Sequence, residues 1–380
     1  FLDTPEAHGW LYRALSLLVI ACPCALVISA PVTVISAITR AARGGVLIKG
    51  GAHLEALGSV KAFAFDKTGT LTHGQPIVLA NRSLECESGE FCAACDDVLA
   101  LASAVEARST HPLARAVVSA AETRGLDHVY PAAESVEMLA GRGIRGQVGG
   151  HMVTVGSHSL FDEQYPHAAD VCAAVQQLES QGTTTMLVSD DDRVRGYIAV
   201  ADAVRADSAA VIAELKTLGA VTAMLTGYNA TVAQNIASQV GVDAVHAHLL
   251  PADKVAVVQQ LMSQHGAVAM VGDGVNDTPA LAAATVGVAM GGAGSAQALE
   301  TADIALMADD LKQLPFAVRL SRLARDIIRQ NVVLSLGVKL LFMALAIEGT
   351  GSLWGAIMAD VGMSLLVTLN GMRPLRFETR

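Results

Sequence analysis

Three kinds of apolar stretch recur along the 380 residues of this chain. The first kind is long and almost free of charge. One such run lies between Arg13 and Arg40, and two more cover residues 332–347 and 351–369, with Lys339 and Asp360 as their inner charges. About 20 apolar residues suffice to cross a hydrocarbon core, so each run predicts a transmembrane helix. The connection from Glu348 to Gly351 is short, so the last two predict a helical hairpin. The second kind is brief: "VKAFAF", "AVTAML" and "AVAMV", each ending in a polar cluster. Continuous apolar runs closed by Gly and polar residues predict buried parallel strands. Helices are expected between the last two strands, near 229–240 and 252–264. The third kind alternates. "QVGGHMVTVG" predicts a β-hairpin about Gly149-Gly150, and Asp190-Asp191-Asp192, between two alternating runs, predicts a solvated hairpin turn.

Basic residues orient the long runs. Arg40, Arg43 and Lys49 follow the first; Arg319, Arg322, Arg325 and Arg329 precede the second; Arg373 and Arg376 follow the third. The hairpin tip carries no Lys or Arg. Positive charge favours the cytoplasmic side, so the first helix runs inward, the hairpin goes out and back, and residues 43–318 are expected in the cytoplasm. The composition agrees: 52% of residues are hydrophobic and 16% charged, and mean hydropathy is +0.44. A net charge of −10 argues against a general nucleic-acid surface. The six cysteines do not fall into a disulfide framework. A chain that begins at Phe1 reads as a fragment or a processed chain, and no signal peptide is evident.

Cys22-Pro23-Cys24 interrupts the first long run. Proline removes a backbone donor and breaks the helix, which predicts an opening that exposes sulfur and backbone. Thiolates favour zinc, cadmium, lead or copper(I). Asp360 tips the choice toward a divalent ion, because copper(I) prefers purely soft ligands. A charge at mid-membrane normally has a partner. Lys339 and Asp360 therefore read either as an ion pair that locks the hairpin or as an ion ligand with a built-in countercharge.

In an open α/β sheet, ligands bind beyond the carboxyl ends of the strands. The clusters Asp66-Lys67-Thr68-Gly69-Thr70, Thr226-Gly227 and Gly272-Asp273-Gly274-Val275-Asn276-Asp277 are thus expected to converge on one site. Asp66, Asp273 and Asp277 suit a hard cation such as magnesium. An aspartate beside that ion can attack a phosphoryl group, and Lys254 in "LLPADKV" could neutralise the phosphate.

These motifs resemble a known family. "DKTGTLT" is similar to the phosphorylation motif of P-type ATPases, and "MVGDGVNDTPAL" to their second hinge motif. "CPC" and "STHPLA" resemble the heavy-metal-transporting subclass. Asp360 in "ADVGMS" and Lys339 in "GVKLLF" resemble the zinc, cadmium and lead exporters, with copper(I) export as the alternative. A regulatory metal-binding membrane protein with an impaired ATPase domain is the rival from another class.

The resemblance implies an α/β haloacid-dehalogenase-like phosphorylation domain with an inserted α+β nucleotide-binding domain, plus three transmembrane helices. The expected boundaries are 1–42 for the first membrane helix with its CPC break, and 43–72 for the first part of the phosphorylation domain. The nucleotide-binding domain follows at 73–195, the second phosphorylation part at 196–318, and the membrane hairpin with its tail at 319–380. By the same resemblance Asp66 is the phosphorylated nucleophile, in a catalytic motif with Lys67 and Thr68. Asp66, Asp273 and the Thr68 carbonyl hold magnesium. Thr226, Gly227, Lys254 and Asn276 steady the phosphate, and Asp277 orients its loop. Glu106, His111, Gly141 and Gly143 contact ATP. Cys22, Cys24 and Asp360 bind the transported ion, with Lys339 as countercharge. The expected setting is membrane lipid, in a bacterial inner membrane or its equivalent. The family's actuator domain and first membrane helices are expected upstream of Phe1, so this chain alone is not expected to complete a cycle. One departure is Tyr228, where the family usually has Asp.

Four lesser features read as structural. Cys92-Ala-Ala-Cys95 has metal-clip spacing, but a structural zinc needs four ligands, so Cys86, Cys92 and Cys95 are expected as surface or half-buried thiols at a helix start. "GRGIRG", residues 141–146, matches a dinucleotide string but lacks the following helix that motif needs. His246 and His248 are expected on one strand face. Asp202 and Arg205 are expected to pair.

Overall fold

The three long apolar runs fold as helices. The computed structural model describes residues 17–18, 21–22, 24–86, 92–109, 111–139, 141–165, 167–180, 183–227, 230–273, 277–291, 296–348 and 353–378. Pro23, Tyr228, Asn229 and Asn276 lie outside the described residues. The helices Cys24–Arg43, Gln313–Glu348 and Leu353–Gly371 pack on one another, and all three are long and apolar enough to cross a membrane. Their outer faces carry exposed Val27, Ile35, Leu340, Ile347, Trp354 and Leu365. In water such a surface would be a liability; in lipid it is the solvated face.

One buried polar residue ties the three helices together. Asn331 donates to Ser29 Oγ at 2.7 Å and to the Val367 carbonyl at 3.2 Å, and accepts from Asn370 Nδ2 at 2.7 Å. Where the helices reach the basic residues, the Arg40 guanidinium lies 4.9 Å over the Phe316 ring and donates to the Phe377 carbonyl at 2.6 Å.

The chain divides into two compact units, 1–63 with 214–221 and 255–380, and 64–213 with 222–254. The first holds the membrane helices. It also holds a sheet segment in which Val46–Ile48 pairs antiparallel with Ile304–Leu306, followed by the parallel strands Val286–Met290 and Val268–Gly272. These strands are buried, as continuous apolar runs require. The helix Gln313–Glu348 starts well before its apolar run. Leu314, Phe316, Val318 and Leu320 are buried there, and Arg322 donates to the Leu218 carbonyl at 2.6 Å.

The second unit is built on a six-stranded antiparallel sheet ordered Thr72–Ser83, Arg193–Val204, Thr184–Asp190, His151–Ser157, Gly143–Val148, Glu134–Leu139. The helices Ala93–Glu106 and Pro112–Thr123 cover it over a core that includes Val98, Val105, Val117, Ile144, Val155 and Ile198. Both expected hairpins are present. Gly143–Val148 returns as His151–Ser157, with no helix after "GRGIRG". Asp191, at φ +51°, turns the chain between Thr184–Asp190 and Arg193–Val204 and accepts Met152 N–H at 2.8 Å. The same unit contains Ala244–His246, parallel to Val221–Leu225. His248 does not share the strand face expected for it. The strand ends at His246, and His248 turns away in the left-handed region at φ +56°.

Candidate active site

Asp66 closes the fully buried strand Ala62–Asp66, where apolar packing ends and the chain turns. The turn bends back through extended Thr68 and left-handed Gly69, φ +72°. Asp66 Oδ2 accepts Thr68 N–H at 2.9 Å, and Oδ1 receives Lys254 Nζ at 2.5 Å. Those side chains are only 8% and 9% exposed, so a short charged pair is held out of water. Lys254 comes from the first turn of the helix Pro251–His265.

Four residues brace this turn. Thr72 Oγ donates to the Asp202 carboxylate and lies 3.0 Å from the Lys67 carbonyl oxygen. Arg205 donates to the Gly69 and Thr72 carbonyls at 3.0 Å each, and Ser208 Oγ donates to the Leu71 carbonyl at 2.8 Å. Asp202 and Arg205, read as a pair, thus both grip the loop behind Asp66. Lys67 is buried there, and burial lowers its ammonium to about 8. Thr226 is buried after the strand Val221–Leu225, exchanging backbone bonds with His246 and Leu249.

In the other unit, Asp273 follows Val268–Gly272 and Asp277 is buried at the start of Thr278–Ala283. A side chain at Gly272 would meet Asp277 Oδ2 at 2.9 Å, so the bare glycine lets that carboxylate approach the strand end.

The four residues expected around ATP line one pocket. Glu106, His111, Gly141 and Gly143 share a cavity of about 620 Å³ with Arg142, Ser157, Thr185 and Gly227. Glu106 ends the helix Ala93–Glu106 and is 6% exposed; burial pushes its carboxyl up to about 7. His111 caps the helix Pro112–Thr123 by accepting Leu113 N–H at Nδ1, 3.2 Å. That bond fixes the tautomer and leaves the Nε2 edge as the donor. Gly143 is required by close approach: a Cβ there would lie 2.3 Å from the Val155 carbonyl oxygen.

In the membrane hairpin, Lys339 Nζ donates to the Cys22 carbonyl and lies 3.9 Å from Asp360 Oδ1. Lys339 and Asp360 border a cavity of about 20 Å³, room for roughly one water. Cys24 opens the helix Cys24–Arg43 and is half-buried, while Cys22 is exposed.

With these sites placed, the match to known proteins is specific. The family model for haloacid dehalogenase-like hydrolases covers residues 60–285. The chain belongs to the haloacid dehalogenase-like hydrolases. Over 98% of its length this hydrolase is 46% identical to a "Probable cadmium-transporting ATPase" of Staphylococcus aureus (strain MRSA252), of which it covers 51%. It is also 46% identical over 97% of its length to the "Zinc/cadmium/lead-transporting P-type ATPase" of Escherichia coli (strain K12), covering 48% of that protein. A crystal structure of a zinc-transporting PIB-type ATPase in its E2.Pi state superposes with a TM-score of 0.82 at 45% identity, over 97% of the hydrolase and 58% of that chain. The hydrolase spans about half the length of the curated relatives it matches.

Two features of the hydrolase escaped sequence reasoning. Cys92 stands at the N-cap of Ala93–Glu106, as expected of a helix start. Cys95, however, is buried rather than half-buried or at the surface, and Cys92 Sγ lies 3.2 Å from Cys86 Sγ and 3.3 Å from Cys95 Sγ. The second is a cluster on the helices His158–Gln164 and Ala169–Ser180. Its donors are four or five residues apart, a spacing that matches no metal motif.

Proposed function

We propose that this hydrolase is the catalytic and C-terminal membrane portion of an ATP-driven exporter of soft divalent metal ions, with zinc, cadmium and lead as cargo. ATP occupies the pocket of Glu106, His111, Gly141 and Gly143. A carboxylate oxygen of Asp66 attacks the γ-phosphorus, the bond to the bridging oxygen breaks, ADP leaves and an aspartyl phosphate remains. Lys254 neutralises charge on the phosphoryl group, assisted by Thr226, Gly227 and Asn276, while Lys67 and Thr68 shape the nucleophile's turn. Carboxylates of this kind suit a hard cation. Magnesium held by Asp66, Asp273 and the Thr68 carbonyl would offset charge on the transferring group, with Asp277 orienting the loop. Water later cleaves the acyl phosphate, releasing phosphate and restoring Asp66.

Cys22, Cys24 and Asp360 bind the cargo, and Lys339 takes its place after release. The observation that carries this reading is Lys339 joining the backbone of the CPC break to Asp360. A bare charge on a membrane helix costs about 2.5–3.5 kcal/mol, and these two are spent beside a pair of thiols. The domain boundaries given above and a bacterial inner membrane, with residues 43–318 cytoplasmic, belong to the same reading. In the complete protein, upstream domain and helices included, ATP hydrolysis should rise with zinc, cadmium and lead and stay flat with copper(I). Asp360→Ala should abolish that rise. Stimulation by copper(I) alone, or undiminished stimulation of the variant, overturns it.

A further inference from the structure

Away from the active site, four side chains of the second unit converge in the manner of a metal centre. His158 opens the helix His158–Gln164 and Asp162 stands one turn later on it. His167 follows beyond the helix, and Cys172 lies on Ala169–Ser180. Asp162 Oδ1 is 3.4 Å from His158 Nε2, 3.3 Å from His167 Nε2 and 3.8 Å from Cys172 Sγ. His167 Nε2 is 3.1 Å from Cys172 Sγ, and all four donor atoms lie within 4.8 Å of one another. Zinc bonds of about 2.0–2.3 Å, set tetrahedrally, place donors roughly 3.3–3.7 Å apart. The four measured edges straddle that range.

We propose that His158, Asp162, His167 and Cys172 form a four-coordinate site for one divalent cation of the zinc type. The surroundings hold the donors ready. The His167 side chain is 4% exposed, and its Nδ1 is bound to the Tyr165 carbonyl at 2.7 Å. The ring's N–H is thereby committed outward and the Nε2 lone pair faces the cluster, the usual arrangement behind a metal-bound histidine. His158 Nε2 is buried and has no hydrogen-bond partner among the described residues. Two imidazoles, a thiol and one carboxylate are a poor set for magnesium or calcium, which take oxygen, and a poor one for copper(I), which takes soft donors alone. A network of charged histidines around Asp162 would leave the placement of Cys172 without a reason; a cation explains all four.

The site adjoins the nucleotide pocket through its own helix. Ser157, which lines that pocket, caps the helix by accepting Leu160 N–H at 3.4 Å. Glu163 on the same helix is paired with pocket-lining Arg142. An occupied centre would therefore brace one pocket wall. The assignment is independent of the proposed transport function.

Cobalt(II) is the probe. The full chain with Cys22→Ser and Cys24→Ser should bind it with the visible spectrum of a tetrahedral ion and a thiolate charge-transfer band, and zinc should displace it. Cys172→Ala should remove the band. Asp162→Asn, at an exposed position that tolerates the change, should weaken binding at least about ten-fold, the least that losing even an outer partner costs. Cys86→Ser with Cys92→Ser should leave the visible spectrum unchanged. Absence of a tetrahedral spectrum, or the same spectrum and affinity in Cys172→Ala and Asp162→Asn, overturns the proposal. Circular dichroism identifies a misfolded Cys172→Ala, in which case Asp162→Asn decides.

Discussion

Two lysine–carboxylate pairs serve opposite ends of this molecule's chemistry. Lys254 meets Asp66 at 2.5 Å with both side chains at most 9% exposed. Lys339 stands 3.9 Å from Asp360, at 17% and 23% exposure, and donates to the Cys22 carbonyl. The first pair is closed, with the amine in direct contact with a carboxylate oxygen. The second is open, with the amine beyond hydrogen-bond distance of its carboxylate and reaching a backbone carbonyl. A closed pair suits a carboxylate that must be presented in one orientation to an incoming phosphorus. An open pair suits a site whose occupant is exchanged. Both contain the same two functional groups, so geometry rather than composition separates the two pairs.

The largest test of that contrast removes the closed pair's acid. Asp66→Asn in the complete protein should leave no acid-stable phosphoenzyme from labelled ATP, whatever metal is present. Residual labelling at the wild-type level would move the nucleophile elsewhere.

Next comes the cation of the same pair. Breaking a buried ion pair from one side costs about 3–5 kcal/mol, because the remaining charge is stranded. Lys254→Met should therefore lower unfolding stability by that order. Adding Asp66→Asn to it should restore part of the loss. Strict additivity in denaturant melts would show that the two groups are not coupled.

A third carboxylate sharpens the comparison from another side, since at Glu106 burial is the dominant influence. Its folded value of about 7 lies above the ordinary one of 4.5. The folded state therefore holds the proton more tightly, and stability falls as pH rises from the unfolded value through the folded one. The loss amounts to roughly 3 kcal/mol across that window. Glu106→Gln should flatten the pH dependence of unfolding there and stabilise the protein above it. An unchanged profile would place the titration elsewhere.

The smallest expected effect is in the open pair. Lys339→Met removes the cation, so zinc should be retained longer after dephosphorylation and stimulated turnover should fall several-fold without vanishing. Faster zinc release in the variant would contradict the countercharge role.

Much of this was legible in the residue pattern because local physics and fold agree. "AVTAML" and "AVAMV" are strands because unbroken apolar runs of that length need cover on both faces, and Val221–Leu225 and Val268–Gly272 are buried almost throughout. Glu106, His111, Gly141 and Gly143 share a pocket although nearly 40 positions separate the first from the last. That grouping came from resemblance, since no periodicity links them. The cluster of His158, Asp162, His167 and Cys172 was illegible because its donors sit on two helices and a link. Their juxtaposition depends on how Ala169–Ser180 folds back, which the spacing does not encode. Asn331 is the polar tie of three apolar helices, a role that its place at the start of an apolar run does not signal.

The unbroken helix Gln313–Glu348 has a mechanical corollary. Its 36 residues make a rod of about 54 Å at the usual 1.5 Å rise. The rod is clamped near one end by buried Leu314, Phe316 and Leu320 and carries Lys339 well along its length. With no hinge between them, a tilt of about 5° at the clamp would swing that amine by roughly 3 Å, because the intervening 26 or so rises make a lever near 39 Å long. A displacement of that size equals a full hydrogen-bond length, enough to hand the amine from one acceptor to another by leverage alone.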